Sequence, residues 1–430
     1  MKTIALTALP SLLLAACSGA ALDPAPPSDR EPASSARAPT GEPATTQALA
    51  AAETVLTGKL MPALIAEAKP NDNVFIAPVS LSQAFGLAWL GAEGETREEI
   101  GATMGWQGLA NPAGGALAYV EALEDTGDEE VRLGVANRLW VTNAYPLKPS
   151  YLAAVKRDYR AEPGALDFGG NPGGAADAIN GWVSEETEGL IKQIVKPEQF
   201  DGNTVTVLTN AVFFDGQWTV PFGGGGERPF TRGDGTKAPF YLMYRDGPMP
   251  FVEADGWQGV ALPYGKSKRY RMDVYLPPEG QLLTGTGAWL SSDWIAKMGA
   301  ALDDAPEREI ELRMPRFEIA WNGSMNAAFK AAGMIVPFDR SRADFKPMVE
   351  VSGRNAFIDS VSHATFLKVD EKGTKAAGAT AIEVTVESAT LYFAEMTVDR
   401  PFLVALRDTK TGSLLFFGRI SDPQPTEAAR

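Results

Sequence analysis

Residues 362–380 read SHATFLKVDEKGTKAAGAT, and two kinds of sequence meet inside this stretch. Its first part belongs to the strand-like run FIDSVSHATFLKV, whereas EKGTKAAGAT (371–380) is almost free of large side chains. From Thr374 onward the even positions are Thr374, Ala376, Gly378, Thr380, Ile382, Val384 and Val386, all small or apolar. The odd positions are Lys375, Ala377, Ala379, Ala381, Glu383, Thr385 and Glu387, small or polar. This is the period of two of a strand with one buried face, about 45 Å long. Alanine and glycine make poor strands, so the segment would not commit early to a sheet. Yet nothing in residues 374–381 is too bulky to slide between two strands already in place. A surface loop that alternates without consequence is the competing reading.

Strand signals dominate outward from here. TVTVLTNAVFF (204–214), YRMDVYLP (270–277), PFLVALR (401–407) and SLLFFGRI (413–420) are apolar on both faces or nearly so, as strands covered on both sides would be. In REIELRMPRFEIAW (308–321) the apolar set is Ile310, Leu312 and Met314, then changes parity to Phe317, Ile319 and Trp321. That switch predicts a bend or bulge at Pro315 carrying the chain from one layer to another. Helical signals crowd the N-terminal half. Ser80 with Gln83, and Thr96 with Glu99, form capping-box patterns. Residues 175–188 place Ile179, Trp182 and Val183 on one face before Gly189 stops the helix. Helices first and strands later define an α+β protein.

The chain has 430 residues, 45% apolar and 22% charged, the composition of a soluble globular protein. A net charge of -15 argues against nucleic acid and anionic membrane surfaces as partners, because phosphate binding needs clustered Lys and Arg. Residues 1–17, MKTIALTALPSLLLAAC, read as a secretion signal, and its LAAC ending resembles a bacterial lipobox. That resemblance implies an acylated Cys17 and, with Ser18 following, an outer-membrane lipoprotein facing the periplasm or the exterior. Residues 18–51, rich in Ala, Pro, Ser and Thr, read as a disordered tether, and residues 52–425 as one large domain without repeats, expected to be monomeric.

Catalytic groups are scarce. The single histidine is His363, so any Ser-His-Asp or Cys-His mechanism must pass through it, and no G-x-S-x-G elbow occurs. Set in alternating sequence, it reads as a structural histidine. One histidine and one acylated cysteine furnish neither a zinc site nor a disulfide, so no metal or cofactor is expected. Tyr264-Gly265-Lys266-Ser267 resembles the end of a phosphate loop, but Gly259 is one residue too far and Pro263 interrupts the span. The run 223–226 reads as a flexible turn, and Asn322-Gly323-Ser324 as a turn leading into a helix capped by Ser324. No enzyme is expected.

Ordered along the chain are NVFIAPVSLSQAFGLAWLGAEGET (73–96), ANRLWV (136–141), INGWVSEETEGLI (179–191), LTNAVFFDGQW (208–218), LPY with VYLP, and MPRFEI (314–319). FKAAGM with FDRSRADF, the opening stretch, and DRPFLVALRD with LLFFGRISDP follow, to about residue 422. Together, from about residue 55 to 422, these segments resemble the serpins, a family of suicide protease inhibitors. The resemblance implies N-terminal helices packed on three β-sheets, with a mobile reactive-centre loop at about residues 371–398. It assigns a hinge to Glu371, Gly373, Thr374, Ala376, Ala377, Gly378, Ala379 and Thr380. Ser80, Ser82, Asn210 and His363 match the family's shutter, a polar cluster beneath the centre of the main sheet, and Trp218 the place where the loop first enters it. None of these does chemistry.

The implied mechanism is acyl-enzyme trapping of a serine, or papain-like cysteine, protease: the cut loop inserts as a new strand and distorts the attached enzyme. Counting from hinge Glu371 puts the reactive bond at Glu387-Ser388, whereas counting back from Arg400-Pro401-Phe402 gives Thr390-Leu391, this loop being about three residues longer than common. The hinge count is preferred because the sheet fixes insertion length. A cut after Glu387 suits a protease selective for acidic residues; neighbouring bonds suit elastase-, subtilisin- or chymotrypsin-like enzymes. Lys375 departs from the acidic residue common in the family. The alternative is a non-inhibitory serpin acting as a binding or chaperone-like module, but such members usually carry bulky or charged hinge residues where this chain has Thr374, Ala376, Ala377 and Ala379.

Overall fold

A computed structural model describes residues 41–285, 287–350, 355–374 and 393–423. Cys17 and most of the tether lie outside the described residues, as do Ala376, Ala377, Gly378, Ala379, Thr380, Glu387, Ser388, Thr390 and Leu391. Elements are numbered in chain order. Eight α-helices are described: α1 (Thr46–Glu67), α2 (Pro78–Leu90), α3 (Gly94–Thr103), α4 (Pro112–Glu124), α5 (Pro149–Tyr159), α6 (Pro172–Glu186), α7 (Ser292–Asp303) and α8 (Asn326–Ala331).

A six-stranded sheet holds β2 (Val131–Thr142), β3 (Gly164–Leu166), β4 (Thr206–Gln217), β10 (Phe317–Ser324), β11 (Ser360–Val369) and β12 (Gly373–Thr374), in the order β10-β11-β12-β4-β2-β3. A second, nine-stranded assembly runs β1 (Val74–Ile76), β15 (Leu414–Ile420), β14 (Phe402–Asp408), β8 (Tyr270–Leu276), β7 (Trp257–Pro263), β6 (Lys237–Ala254), β9 (Glu307–Pro315) and β13 (Ala394–Thr397). The strand β5 (Gly223–Thr231) joins it through β6. The 18-residue β6 belongs to two sheets at once: residues 242–250 pair with β9, and residues 251–254 with β7. The three expected sheets are present, two of them joined through β6.

The six-stranded sheet is covered on both faces, which explains its doubly apolar strands. On β4, Leu208, Val212 and Phe214 enter the main core, whereas Val207 and Ala211 face a second cluster with Ile179 and Val183 of α6. Trp182 packs against that cluster, and Gly189 follows the helix end at φ +79°. The parity switch around Pro315 is the crossing between sheets: β9 ends at Pro315 in one and β10 starts at Phe317 in the other.

Five local expectations need correction. The helix holding Ser80 starts at Pro78, and the one holding Thr96 at Gly94. Their hydroxyls serve tertiary contacts instead of caps: Ser80 bonds to Asn137, and Thr96 accepts from the Asp344 N–H at 2.8 Å. Residues 223–226 open β5, with a register shift against β6 where a turn was expected. Asn322, Gly323 and Ser324 end β10, held in the ladder by pairing with β11. The folded domain begins before residue 52, because Thr45 caps α1 and Leu49 and Ala50 are already buried. Length and composition alone would let α1 cross a membrane, yet more than half of its most apolar 18-residue window is buried in the fold.

Inside that helix, Glu53 is completely buried among the Tyr119 hydroxyl (2.7 Å), the Ser413 hydroxyl (2.8 Å) and the Leu414 N–H (3.1 Å). Loss of solvation outweighs these bonds and pushes its carboxyl up to about 8. The native state therefore holds a proton that the unfolded chain releases above about 4.5, so stability falls as pH rises from 4.5 to 8. Glu53→Gln should gain on the parent by about 1.4 kcal/mol per pH unit across that window, read by denaturant unfolding at several pH values.

Candidate functional site

The strands β4 and β11 are direct parallel neighbours over six residue pairs, from Val207 with Ser360 to Val212 with Thr365. Beyond them β12 lies between the two, with Thr374 opposite Gly216 of β4 and Val369 of β11, antiparallel to both. The central seam is thus closed over one part and parted at one end by the first residues of the candidate hinge.

That end is held by a compact set of contacts. After β11 the chain reverses through Asp370, whose carboxylate accepts the N–H groups of Lys372 (2.9 Å) and Gly373 (3.3 Å), an arrangement aspartate favours in turns. Trp218 clamps the reversal: its indole N–H donates to the Asp370 carbonyl (2.9 Å) and its backbone N–H to the Lys372 carbonyl (2.9 Å). The Phe222 N–H donates to the Glu371 carbonyl (2.8 Å), and Arg316 lies 3.9 Å from the Glu371 carboxylate. At Gly373 an added Cβ would strike the Gly216 carbonyl oxygen, so only glycine fits this close approach.

Thr374 is 1% exposed and points to the core side, where its hydroxyl lies 2.8 Å from the Tyr264 hydroxyl. Tyr264 in turn stacks on Trp218, with ring centroids 4.2 Å apart. It sits at a tight turn whose Gly265 has φ +66°, which accounts for the glycine in the YGKS stretch without any phosphate role.

Below the closed part of the seam, His363 is completely buried and faces Asn210 in the paired register. Its Nε2 accepts the Ala77 N–H at 2.9 Å, and its Nδ1 contacts the Asn210 carboxamide oxygen. This pattern fixes the neutral tautomer, with the proton on Nδ1. Burial pushes the imidazole down to about 3. Ser80 reaches the same cluster from α2 through Asn137, 2.9 Å away, and Asn137 pairs with Asn210 across β2 and β4. The Asn210 amide nitrogen is left buried without a hydrogen-bond partner. Ser82 is buried on the same helix but takes no part in these bonds, since two residues turn it about 200° from Ser80.

The structure brings Trp218, Glu371, Gly373 and Thr374 together at the open end, and Ser80, Asn210 and His363 at the closed part. Sequence reasoning missed Tyr264, Asn137 and Asp370. Asn137 and Tyr264 act across elements far apart in the chain, and only the D-x-x-G spacing of Asp370 and Gly373 carried a readable turn signal.

A large sheet whose two central strands are parallel neighbours, parted at one end by an antiparallel two-residue strand, defines the class of fold. The family comparison names the class: residues 51–423 match the serpin family, described as serine protease inhibitor. The chain belongs to the serpin family. It is 31% identical over 387 residues to Serpin-ZXA of Oryza sativa subsp. japonica, covering 85% of this chain and 95% of that one. It is 28% identical over 364 residues to the leukocyte elastase inhibitor of Xenopus laevis, covering 84% and 95%. Among solved structures, native thermophilic serpin tengpin superposes with TM-score 0.77 at 23% identity, covering 89% of this chain and 97% of that one. Human thyroxine-binding globulin with its hormone gives 0.79 at 24%, covering 89% and 100%. At these identities the two structures establish the fold alone.

The buried His363 makes a testable contribution. Unfolded histidine takes up a proton below about 6.5, but the folded one does not until about 3, so acid favours unfolding within that window. His363→Asn should be less stable than the parent by about 1–3 kcal/mol at pH 7.5. The gap should narrow by about 1.4 kcal/mol for each pH unit below 6.5, as measured by urea unfolding.

Proposed function

We infer that this serpin is an inhibitor that traps proteases by inserting its cleaved loop between β4 and β11. The carrying observation is the register of Thr374. Extending it, six residues on from Thr374, Thr380 falls opposite Asn210 and His363, which lie six back from Gly216 and Val369. Nine residues on, Glu383 falls opposite Val207 and Ser360, where the present parallel pairing ends. The same numbering turns Ala376, Gly378, Thr380 and Ile382 to the core side with Thr374, and all but Ile382 are small.

Insertion separates His363 from Asn210 and places the Thr380 hydroxyl between them. A hydroxyl both donates and accepts, so it restores the broken contact and supplies an acceptor for the Asn210 amide nitrogen that now lacks one. Glu387 lies four residues beyond Glu383 and Thr390 seven, so both candidate bonds fall past the end of the paired seam; the hinge count favours Glu387-Ser388.

The catalytic chemistry belongs to the protease. Its nucleophile forms an acyl-enzyme at the loop, and insertion must carry it away before water completes hydrolysis. Loop insertion with release of stored strain is known for the family; this chain's part is the register and the small core-facing residues. Serpins are in general protease inhibitors and not enzymes, and the family also includes the thyroxine-binding globulin noted above. The proposal extends to the N-terminus: acylated Cys17 and a tether hold a monomeric domain at the outer membrane, where it guards against proteases.

The test is incubation with proteases selective for acidic, small, aromatic and basic residues, followed by denaturing electrophoresis and mass measurement of the released C-terminal peptide. A denaturant-resistant complex and a peptide beginning at Ser388 are expected; cleavage throughout the panel with no complex would refute inhibition. Thr374→Arg should convert inhibitor to substrate, because a guanidinium would have to enter a site that is 1% exposed. Unchanged trapping by that variant would refute the core-facing assignment of the even positions.

A further inference from the structure

We propose that Phe393 and Arg308, on strands that also carry exposed carboxylates, form a docking patch for the primed side of the target protease. The proposal rests on the inhibitory reading above and adds a determinant of which protease is caught.

Phe393 is the most exposed large apolar side chain among the described residues, at 56%. Single exposed apolar residues are common and need no explanation; this one is held in place. Its N–H donates to the Glu309 carbonyl at 2.7 Å, continuing the parallel pairing of β13 with β9 by one residue. The Arg308 guanidinium lies 3.9 Å over its ring, and Phe251 meets it edge-on at 6.3 Å. An aromatic fixed this way presents apolar area with little rotamer entropy left to lose, the property of a binding anchor.

Glu307 and Glu309 on β9 and Glu395 on β13 are exposed on the same two strands, and Gln258 links exposed Glu253 to the Glu395 carbonyl. The surface is therefore an aromatic capped by a guanidinium, on strands that also carry exposed carboxylates. It fits an apolar notch on an enzyme with a basic surface.

The occupant follows from chain length. Phe393 is five positions on from Ser388, an extended reach of at most about 18 Å, and two on from Leu391, about 7 Å. A small domain is about 30 Å across. An enzyme attacking either bond therefore has its primed side over Phe393. After the cut, Phe393 stays with the C-terminal piece in β13 while the acylated residue travels with the inserting strand. The contact exists only before acylation, so it governs capture and not trapping.

The experiment compares the full protein with Phe393→Ala, Phe393→Leu and the remote control Leu152→Ala, against whichever panel protease cuts the loop fastest. The second-order inhibition rate constant should fall about tenfold for Phe393→Ala, less for Phe393→Leu and not at all for Leu152→Ala. The number of inhibitor molecules consumed per enzyme trapped should not change. Neutralising Glu307, Glu309 and Glu395 to Gln should flatten the salt dependence of that rate. An unchanged rate for Phe393→Ala, or an equal loss in the control, overturns the patch. If the parent traps nothing, the inhibitory reading fails separately and the same comparison is made on loop-cleavage rate: a tenfold fall upholds docking, and equality overturns it.

Discussion

The structure turns on two parallel strands that adhere along only part of their length. Between β4 and β11 the ladder is complete for six residue pairs and is then parted by Gly373 and Thr374. A strand entering antiparallel to both replaces one parallel ladder with two antiparallel ones, and antiparallel pairing is slightly the stronger per residue. Under the proposed insertion, that exchange of ladders favours the filled sheet.

The resistance to opening is built from side chains on both faces. On the core side His363 gives its two ring nitrogens to Asn210 and Ala77, so parting the seam breaks a hydrogen bond in a site without solvent. On the other face α6 packs on β4 and β2, and Ala211 and Ala364, opposite each other in register, belong to its buried cluster. Alanines there keep the contact across the seam shallow. The same geometry commits both ring nitrogens of His363, the only histidine in the sequence, to Ala77 and Asn210.

The architecture was largely legible in the chain because its signals are periodic. Strands covered on two faces lose their alternation and read as apolar runs, and the parity switch across Pro315 marks the crossing between sheets in the sequence itself. Capping boxes misled at Ser80 and Thr96 because a serine or threonine hydroxyl has several uses, and a long-range partner took it in both helices. The glycine run at 223–226 looked like a turn by composition, but pairing with β6 overrode propensity. At the site, the buried parity of Thr374, which acts through its own strand, was readable. Tyr264 and Asn137 were not, since each matters only through a partner on a remote element, Trp218 for one and Ser80 for the other. Nothing in local sequence marks such an encounter.

The most direct test is the thermal unfolding of the intact protein beside protein cut once between residues 375 and 392 and left with both pieces associated. If the cut segment becomes a strand between β4 and β11, the cleaved form must unfold at a distinctly higher temperature than the intact form, although it has lost a peptide bond. A cleaved form that melts at or below the intact one would show that the seam does not open to take the loop, and the account would fail.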